Sequence, residues 1–480
     1  MADATTGFSI SLAALHNDGS QEPTQDAEVL PPEFSEDALA LEFSARYNGQ
    51  LLYVPAWSRW LRWDGCRWAR DDTLRVFDLA RCICRAAGAR AEAEIDGLAG
   101  VRLARAITSA NTIAAVVRLA QADARHARGA DAFDADPWVL NTLAGIVDLR
   151  TGLVRAPRQG DLMTKVTAVA PGGDCPRWIA FIKDITQGDA ALAEYLQRWS
   201  GYTLTGIIRE HAFLFAHGPG GNGKSVLLNT LAAMMGDYAT TAMADVFTVE
   251  HYNQHPTALA ALRGARMVVV NETEAGRLWA EARVKALTGG DRISARVMRG
   301  DPFEFSPVFK LWIAGNHRPT LRNPDPAMRR RLHLVPLTWV PARPDTTLPD
   351  ALRAEMPGIL AWAIQGCLAW QQRDGLNPPP VVLNASAEYF AEQDSVTTWF
   401  AERCDQIPTA QSASRVLFTD WQCWAKRRGE EAGTEKRFSE ALERLAAKKR
   451  TNRGVVFLGV ALKPDGRGNV FDDWSVDAAV

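Results

Sequence analysis

The stretch Gly218-Pro219-Gly220-Gly221-Asn222-Gly223-Lys224-Ser225 constrains this chain more than any other. It reads G-x-x-x-x-G-K-S, the spacing of a phosphate-cradling loop. Its glycines let the backbone turn tightly, so that several N–H groups face one phosphate chain. Lys224 brings a point charge to the β- and γ-phosphates, and the Ser225 hydroxyl can hold Mg²⁺. The pattern also arises by chance, so its surroundings decide. Ala212 to Ala216, just before it, is a short apolar stretch that reads as a buried strand. Val226 to Met235, just after it, has helical apolar spacing and stops at Gly236. Strand, loop and helix in that order put the loop at a helix N-terminus, where an anion is favoured. A glycine-rich loop that binds nothing is the weaker reading, and an α/β P-loop fold is expected.

Two further apolar strands end in polar residues. Met267-Val268-Val269-Val270 runs into Asn271-Glu272-Thr273-Glu274. The carboxyl end of a strand beside such a loop is where a Mg²⁺-holding, water-activating carboxylate belongs. Lys310 to Gly315 is followed by Asn316, whose amide can orient an attacking water or touch the γ-phosphate. Singly, Glu272 could be a surface charge and Asn316 a turn former. Three strand ends delivering Lys, Glu and Asn are hard to explain that way. Between these strands, Ile293 to Met298 and Phe303 to Phe305 flank Arg299-Gly300-Asp301-Pro302, which predicts a hairpin with a basic tip carrying Arg296 and Arg299. Arg329-Arg330-Arg331 precedes another apolar strand, Leu332 to Leu337. It is either a solvated face or a source of arginine supplied across a subunit boundary.

With 480 residues the chain has room for two to four domains. Its net charge of −2 gives no global positive field, so nucleic-acid contacts must come from local patches. No apolar run approaches the roughly 20 residues of a membrane helix, and no basic segment followed by an apolar one opens the chain. Its seven cysteines are an odd number without a C-x-x-C pair, which disfavours a disulfide framework or a zinc ribbon and fits a reducing cytoplasm. His251 and His255 are four apart, but Pro256 follows and no H-E-x-x-H glutamate is present, so a structural role is preferred to a metal site.

Taken in order, residues 1–36 are polar and acidic and read as a disordered leader. An amino-terminal module is expected over 37–175. In it Leu51 to Val54 looks like a strand, and Trp57, Trp60, Trp63 and Trp68 crowd around the Asp64-Gly65 turn. Such a cluster can stack bases but more often forms a small core. An Ala/Arg-rich helical stretch over 74–125 follows. The ATPase core is placed at 176–345, and a helical lid and linker with Pro378-Pro379-Pro380 at 346–384. Residues 385–480 have helical Trp/Phe spacing, become locally basic, and end in the strand-like Val455 to Leu458. That order suggests a winged-helix-like DNA-binding domain, with a solvated charged surface as the alternative.

Together these residues resemble the helicase region of phage and plasmid primase–helicases, superfamily 3 helicases related to the poxvirus primase–helicase. The upstream signature is Trp63-Asp64-Gly65, Asp136-Pro137-Trp138-Val139-Leu140-Asn141 and Val147-Asp148-Leu149-Arg150-Thr151-Gly152. The core signature is Gly218 to Ser225, Leu262-Arg263-Gly264-Ala265-Arg266, Glu272-Thr273-Glu274, Lys285 to Asp291, and Asn316. The resemblance implies an AAA+-like core in which Gly218 to Val226 bind ATP and Ser225 and Glu272 hold Mg²⁺. It makes Asn316 the sensor, Arg330 and Arg331 the pair that includes the arginine finger, and 293–305 the hairpin of a hexameric ring pore, with Arg296 and Arg299 touching DNA. Arg329 stands where relatives often carry an aromatic residue. The implied activity is ATP-dependent unwinding of DNA, single-stranded and forked, in phage, plasmid or satellite replication inside a bacterial cytoplasm. An origin-binding or loading protein is the alternative. Relatives often carry a primase domain first; only about 45 residues precede the resemblance, against roughly 100 for a typical domain. A helicase without its own primase is therefore expected, with a separate primase or polymerase as partner.

Overall fold

The structure, a computed structural model, describes residues 30–249, 256–272, 278–298, 300–318, 321, 325–392, 395–428, 432–452 and 454–464. Most of the expected acidic leader, His251, His255, Glu274 and Arg299 lie outside the described residues. Two compact units are present: the first comprises the described residues up to Arg62 together with 70–130, and the second 63–69 and the described residues after Ala130.

In the first unit, Ser35 accepts a hydrogen bond from Ala38 N at 3.1 Å and so starts α1 (Glu36–Arg46). Strand β1 (Leu51–Val54) pairs antiparallel with β2 (Arg59–Trp63); the short β3 (Trp68–Arg70) follows in the chain, its first two residues counted with the second unit. Helices α2 (Arg75–Glu94), α3 (Leu98–Ile107) and α4 (Ala110–Ala120) complete the unit. Its core holds Leu39, Phe43, Ile83, Ala87 and Val116. Trp60 packs edge-on to Phe43 and to the buried His126, which is the core role expected for a tryptophan of this cluster.

The second unit opens with a meander of β4 (Val139–Thr142), β5 (Gly145–Asp148) and β6 (Leu153–Arg155). Leu140, Ile146 and Val147 share one core with α5 (Pro176–Ile185) and α6 (Ala190–Leu204). Next come β7 (Phe213–His217), α7 (Lys224–Met235), β8 (Ala239–Ala242), α8 (Pro256–Ala260), β9 (Met267–Glu272), α9 (Glu281–Gly289), β10 (Ile293–Arg296), β11 (Pro302–Phe305), β12 (Lys310–Gly315), α10 (Pro326–Arg331) and β13 (Leu332–Pro336). Five of these strands form a parallel sheet in the order β13-β7-β12-β9-β8. Strands β7 and β12 are apolar and buried nearly throughout, as strands covered on both faces must be.

Helices α11 (Leu348–Ala354) and α12 (Met356–Gln372) follow. Where α12 crosses α6, a Cβ on Gly366 would lie 2.0 Å from Gln197 O, and one on Gly201 2.0 Å from Cys367 N. Only paired glycines allow that approach. The carboxyl end of α6 is closed by two buried cations. Arg266 donates to Leu204 O at 2.6 Å and to Val139 O at 2.8 Å. Lys310 Nζ bonds Thr205 O and lies 4.6 Å from the centre of the Tyr202 ring. Burial pushes both below their ordinary pKa. The last of the three prolines opens α13 (Pro380–Glu392), which packs on β13 and sends Tyr389 and Phe390 into the sheet's core. Position 385 therefore falls inside a helix of the core.

The carboxyl segment runs α14 (Ser395–Arg403), β14 (Cys404–Ala413), α15 (Ser414–Arg427), α16 (Glu435–Leu442), β15 (Ala447–Thr451) and β16 (Gly454–Leu462). Its sheet has the order β14-β16-β15, and its core holds Trp399, Trp421, Phe438 and Phe457. No helix among the described residues is long and apolar enough to cross a membrane.

Candidate active site

The loop 218–223 leaves β7 and delivers Lys224 to the first turn of α7, with Val226 one step beyond Ser225. Gly223 has φ +84°, and a Cβ there would lie 2.9 Å from the Phe181 ring. The turn and the packing of α5 beneath it both require glycine. Lys224 is 6% exposed, so the loop that carries it folds over its side chain. Its Nζ donates to Gly218 O at 2.8 Å, Pro219 O at 2.9 Å and Asn222 Oδ1 at 2.8 Å. Burial depresses its pKa. Among the described residues no carboxylate takes part in these bonds; the loop orders the ammonium through its own carbonyls and the Asn222 amide. Asn222, also buried, donates from Nδ2 to Leu337 O and thereby ties the loop to the residue just past β13. Leu337 N in turn donates to His217 O at 2.7 Å. Ser225 is exposed at the helix start.

Register brings the other strand ends to the same edge. In the parallel ladder Gly315 of β12 stands opposite His217 of β7 on one side and opposite Glu272 of β9 on the other. Asn316 follows Gly315 directly and is exposed. Lys224, Glu272 and Asn316 thus issue from the carboxyl edge of three adjacent strands, the crevice where ligands bind in open parallel sheets. Such an edge, with a helix N-terminus and a carbonyl-held lysine, can receive a phosphate chain.

His217 was not singled out from the sequence. It closes β7, is half-buried, and hydrogen-bonds the backbone of Asn316. Burial first, and then the nearby Arg318, Lys224 and His317, hold its pKa below the usual histidine value. It therefore couples the loop strand to the Asn316 strand as a neutral ring. Only its place directly before Gly218 could have signalled it.

The three arginines form the last turn of α10, opened by Asp325, which caps Met328 N at 2.7 Å and pairs with Lys285 at 2.7 Å. Arg329 lies over the Phe390 ring at 5.1 Å. Arg331 donates to Ala327 O at 3.1 Å, and Arg330 is exposed. Leu332 pairs with Phe213 at the start of β7, so these arginines stand at the amino edge of the sheet. At about 3.3 Å per residue they are roughly 15 Å from the loop of their own chain. The expected hairpin is present: β10 and β11 pair antiparallel. Arg296 Nε donates to Gly300 O at 2.8 Å, and Val297 and Met298 are exposed at the tip.

The upstream motif residues act on the far end of α7. Asn141 Nδ2 donates to Cys66 O at 3.1 Å and Lys165 O at 2.9 Å, and Asn141 N donates to the Tyr238 hydroxyl at 3.1 Å. Arg67 pairs with Asp237. The turn at 64–67 and the 136–141 motif therefore clasp the segment where α7 ends.

Comparison with known proteins places part of the chain among described families. Residues 40–187 match a family described as D5 N terminal like, and residues 216–331 match a family of unknown function, DUF5906. The chain is 28% identical over 211 residues to "Putative helicase L207/L206" of Acanthamoeba polyphaga mimivirus, covering 42% of this chain and 22% of that protein. It is 24% identical over 273 residues to "Putative helicase 022R" of Frog virus 3, covering 52% of this chain and 28% of that protein. The chain thus spans about a quarter of the length of these curated relatives. Among solved structures, "The A form apo structure of NrS-1 C terminal region-CTR" aligns with 61% of this chain and 78% of its own, at 10% identity and a TM-score of 0.38. The resemblance drawn from the motifs holds at this level: the chain carries a D5 N-terminal-like segment and is homologous to viral proteins named as putative helicases.

Proposed function

We propose that this protein is an ATP-dependent DNA helicase with an AAA+-like superfamily 3 core, working as a ring of identical subunits in the replication of a phage, plasmid or satellite element. The observation that carries the reading is the register that sets Lys224, Glu272 and Asn316 on three adjacent strand ends. The loop backbone and Lys224 hold the phosphates, and Asn316 orients the attacking water. Ser225 and Glu272 hold Mg²⁺, which when bound neutralises charge developing on the transferring phosphate. The exposed Ser225 hydroxyl at the start of α7 and the ending of β9 at Glu272 fit a divalent cation, while the carbonyl-held Lys224 fits the phosphates. Arg330 serves the neighbouring subunit: it is the exposed member of the pair, and its own loop lies at the opposite edge of the sheet. The 293–305 hairpin contacts the translocating strand through Arg296 and Arg299, and the carboxyl segment is a winged-helix-like DNA-binding domain. Single-stranded and forked DNA, and a separate primase or polymerase, are the partners of this reading.

ATP hydrolysis and fork unwinding with 5′- and 3′-tailed substrates test it. Lys224→Ala should abolish turnover, and Glu272→Gln should still bind ATP but hydrolyse it poorly. Turnover near wild type in both would sink the assignment. Nucleotide-dependent duplex binding without strand displacement would favour an origin-binding or loading protein instead.

A further inference from the structure

The described residues from Ser395 to Pro464 carry twelve Lys and Arg against six Asp and Glu, in a chain whose net charge is −2. The excess is unevenly placed. On and just after α16, the exposed Lys436, Arg437 and Arg444 are matched by the exposed Glu435, Glu440 and Glu443. A DNA backbone lying on this helix would meet as many repelling charges as attracting ones. Strand β15 differs: Lys448, Lys449 and Arg450 are consecutive and exposed, and neither β15 nor β16 contains an acidic residue. Lys448 pairs with Glu443, which ties the strand to the end of α16. Lys449 and Arg450 make no ion pair or side-chain hydrogen bond among the described residues.

Geometry spreads these charges around an open edge. Strand β15 is the outer strand of its sheet, so one side of it pairs with β16 and the other is unpaired among the described residues. Lys448 stands opposite Phe457, Lys449 opposite Val456 and Arg450 opposite Val455. Alternation along the strand sends Lys449 to one face and Lys448 and Arg450 to the other. The hairpin is closed by Thr451 Oγ1 donating to Gly454 O at 2.8 Å.

We infer that this module grips duplex DNA through the β15–β16 ribbon, by phosphate contacts that do not read base sequence, and not through α16. The inference rests on the winged-helix-like reading proposed above. Phosphate contacts position a protein without specifying a site, so the ribbon holds whatever duplex lies ahead of the fork. This argues against a sequence-reading origin binder built on α16.

Fluorescence anisotropy of the full chain on two labelled duplexes of equal length and unrelated sequence, across a salt series, tests this. Lys449→Ala/Arg450→Ala should lower the log–log salt slope by about 1.8, at about 0.9 per lost phosphate contact, equally on both duplexes. Lys436→Ala/Arg437→Ala should leave the slope near wild type. Thermal melting of each variant checks that the fold survives. A wild-type slope in the ribbon variant would overturn the inference and make the basic row a guard for the strand edge. Preference for one duplex, lost in the α16 variant, would overturn it in favour of helix readout. Absence of duplex binding by the wild type would also overturn it. ATP hydrolysis stimulated by single-stranded DNA is measured alongside. Its absence in the wild type would defeat the helicase reading while the slope still decides the ribbon.

Discussion

Replacing Asn222 by aspartate should lower the affinity for a nucleoside triphosphate on the order of a hundredfold while the loop stays folded. Asn222 is 2% exposed and bonds Lys224 Nζ through Oδ1 at 2.8 Å and the Leu337 carbonyl through Nδ2. Aspartate keeps the size and the acceptor toward the lysine. It loses the donor toward Leu337, and a buried carbonyl left without one costs about 1–3 kcal/mol. The new Lys–Asp attraction offsets part of that, so the melting temperature should move by a few degrees. The effect on an anion is larger. A phosphate about 5 Å from the new carboxylate, at an effective dielectric near 20, is repelled by roughly 3 kcal/mol, which is about a hundredfold in affinity. Asn222→Ala is the control: it loses both hydrogen bonds but leaves the lysine charge uncompensated, so its affinity should fall far less than its stability. Competition against a fluorescent nucleotide analogue, with melting curves on the same samples, separates the two effects. Wild-type affinity in Asn222→Asp, or equal losses in both variants, would refute the claim that the Lys224 charge sets the loop's hold on phosphate.

The trans arrangement predicts that Arg330→Ala/Arg331→Ala lowers turnover by roughly 10³ or more with little loss of nucleotide binding. Mixing it with Lys224→Ala protein should restore part of the activity; mixed assemblies as dead as their components would refute it. Lys310 has its pKa pushed well down by burial, so the unfolded chain binds its proton more readily. Wild-type stability should therefore rise relative to Lys310→Met as pH climbs toward the unperturbed value near 10.4. Chemical denaturation at pH 7 and pH 9.5 tests this, and a pH-independent gap between the two proteins would count against it. Gly366→Ala should destabilise the second unit by about 3 kcal/mol, because α6 and α12 must separate to admit a methyl group; an unchanged melting temperature would show that the crossing yields.

Much of the core was legible because buried parallel strands announce themselves. Phe213 to Ala216, Met267 to Val270 and Lys310 to Gly315 are short apolar runs with polar exits, and each is a strand of the central sheet. The alignment of their ends was not legible, because register depends on contacts between segments distant in sequence. Helix α10 was read only as an arginine run, although Asp325-Pro326 is a recognisable cap and first position. Helix α13 was hidden for a similar reason: Pro380 begins it, and the prolines before it read as a linker. Strand β14 was missed because Pro408 and its mostly exposed, polar residues look like loop. In the site, the loop motif named Lys224 but said nothing of its burial. Its burial depends on carbonyls of the loop that no residue pattern encodes.

Lys224 and Arg330 stand at opposite edges of one sheet, and this bears on how damaged copies would behave in a cell. In an assembly of the proposed kind, each junction draws its loop from one copy and its arginine from the next. A Lys224→Ala copy spoils the junction on one of its flanks, and an Arg330→Ala copy spoils the other. Two different inactive alleles, expressed together, can therefore complement in part. The two lesions placed on one chain would disable both flanking junctions. At equal dosage that doubly altered allele would be the more strongly dominant, even though either lesion alone already silences a pure population.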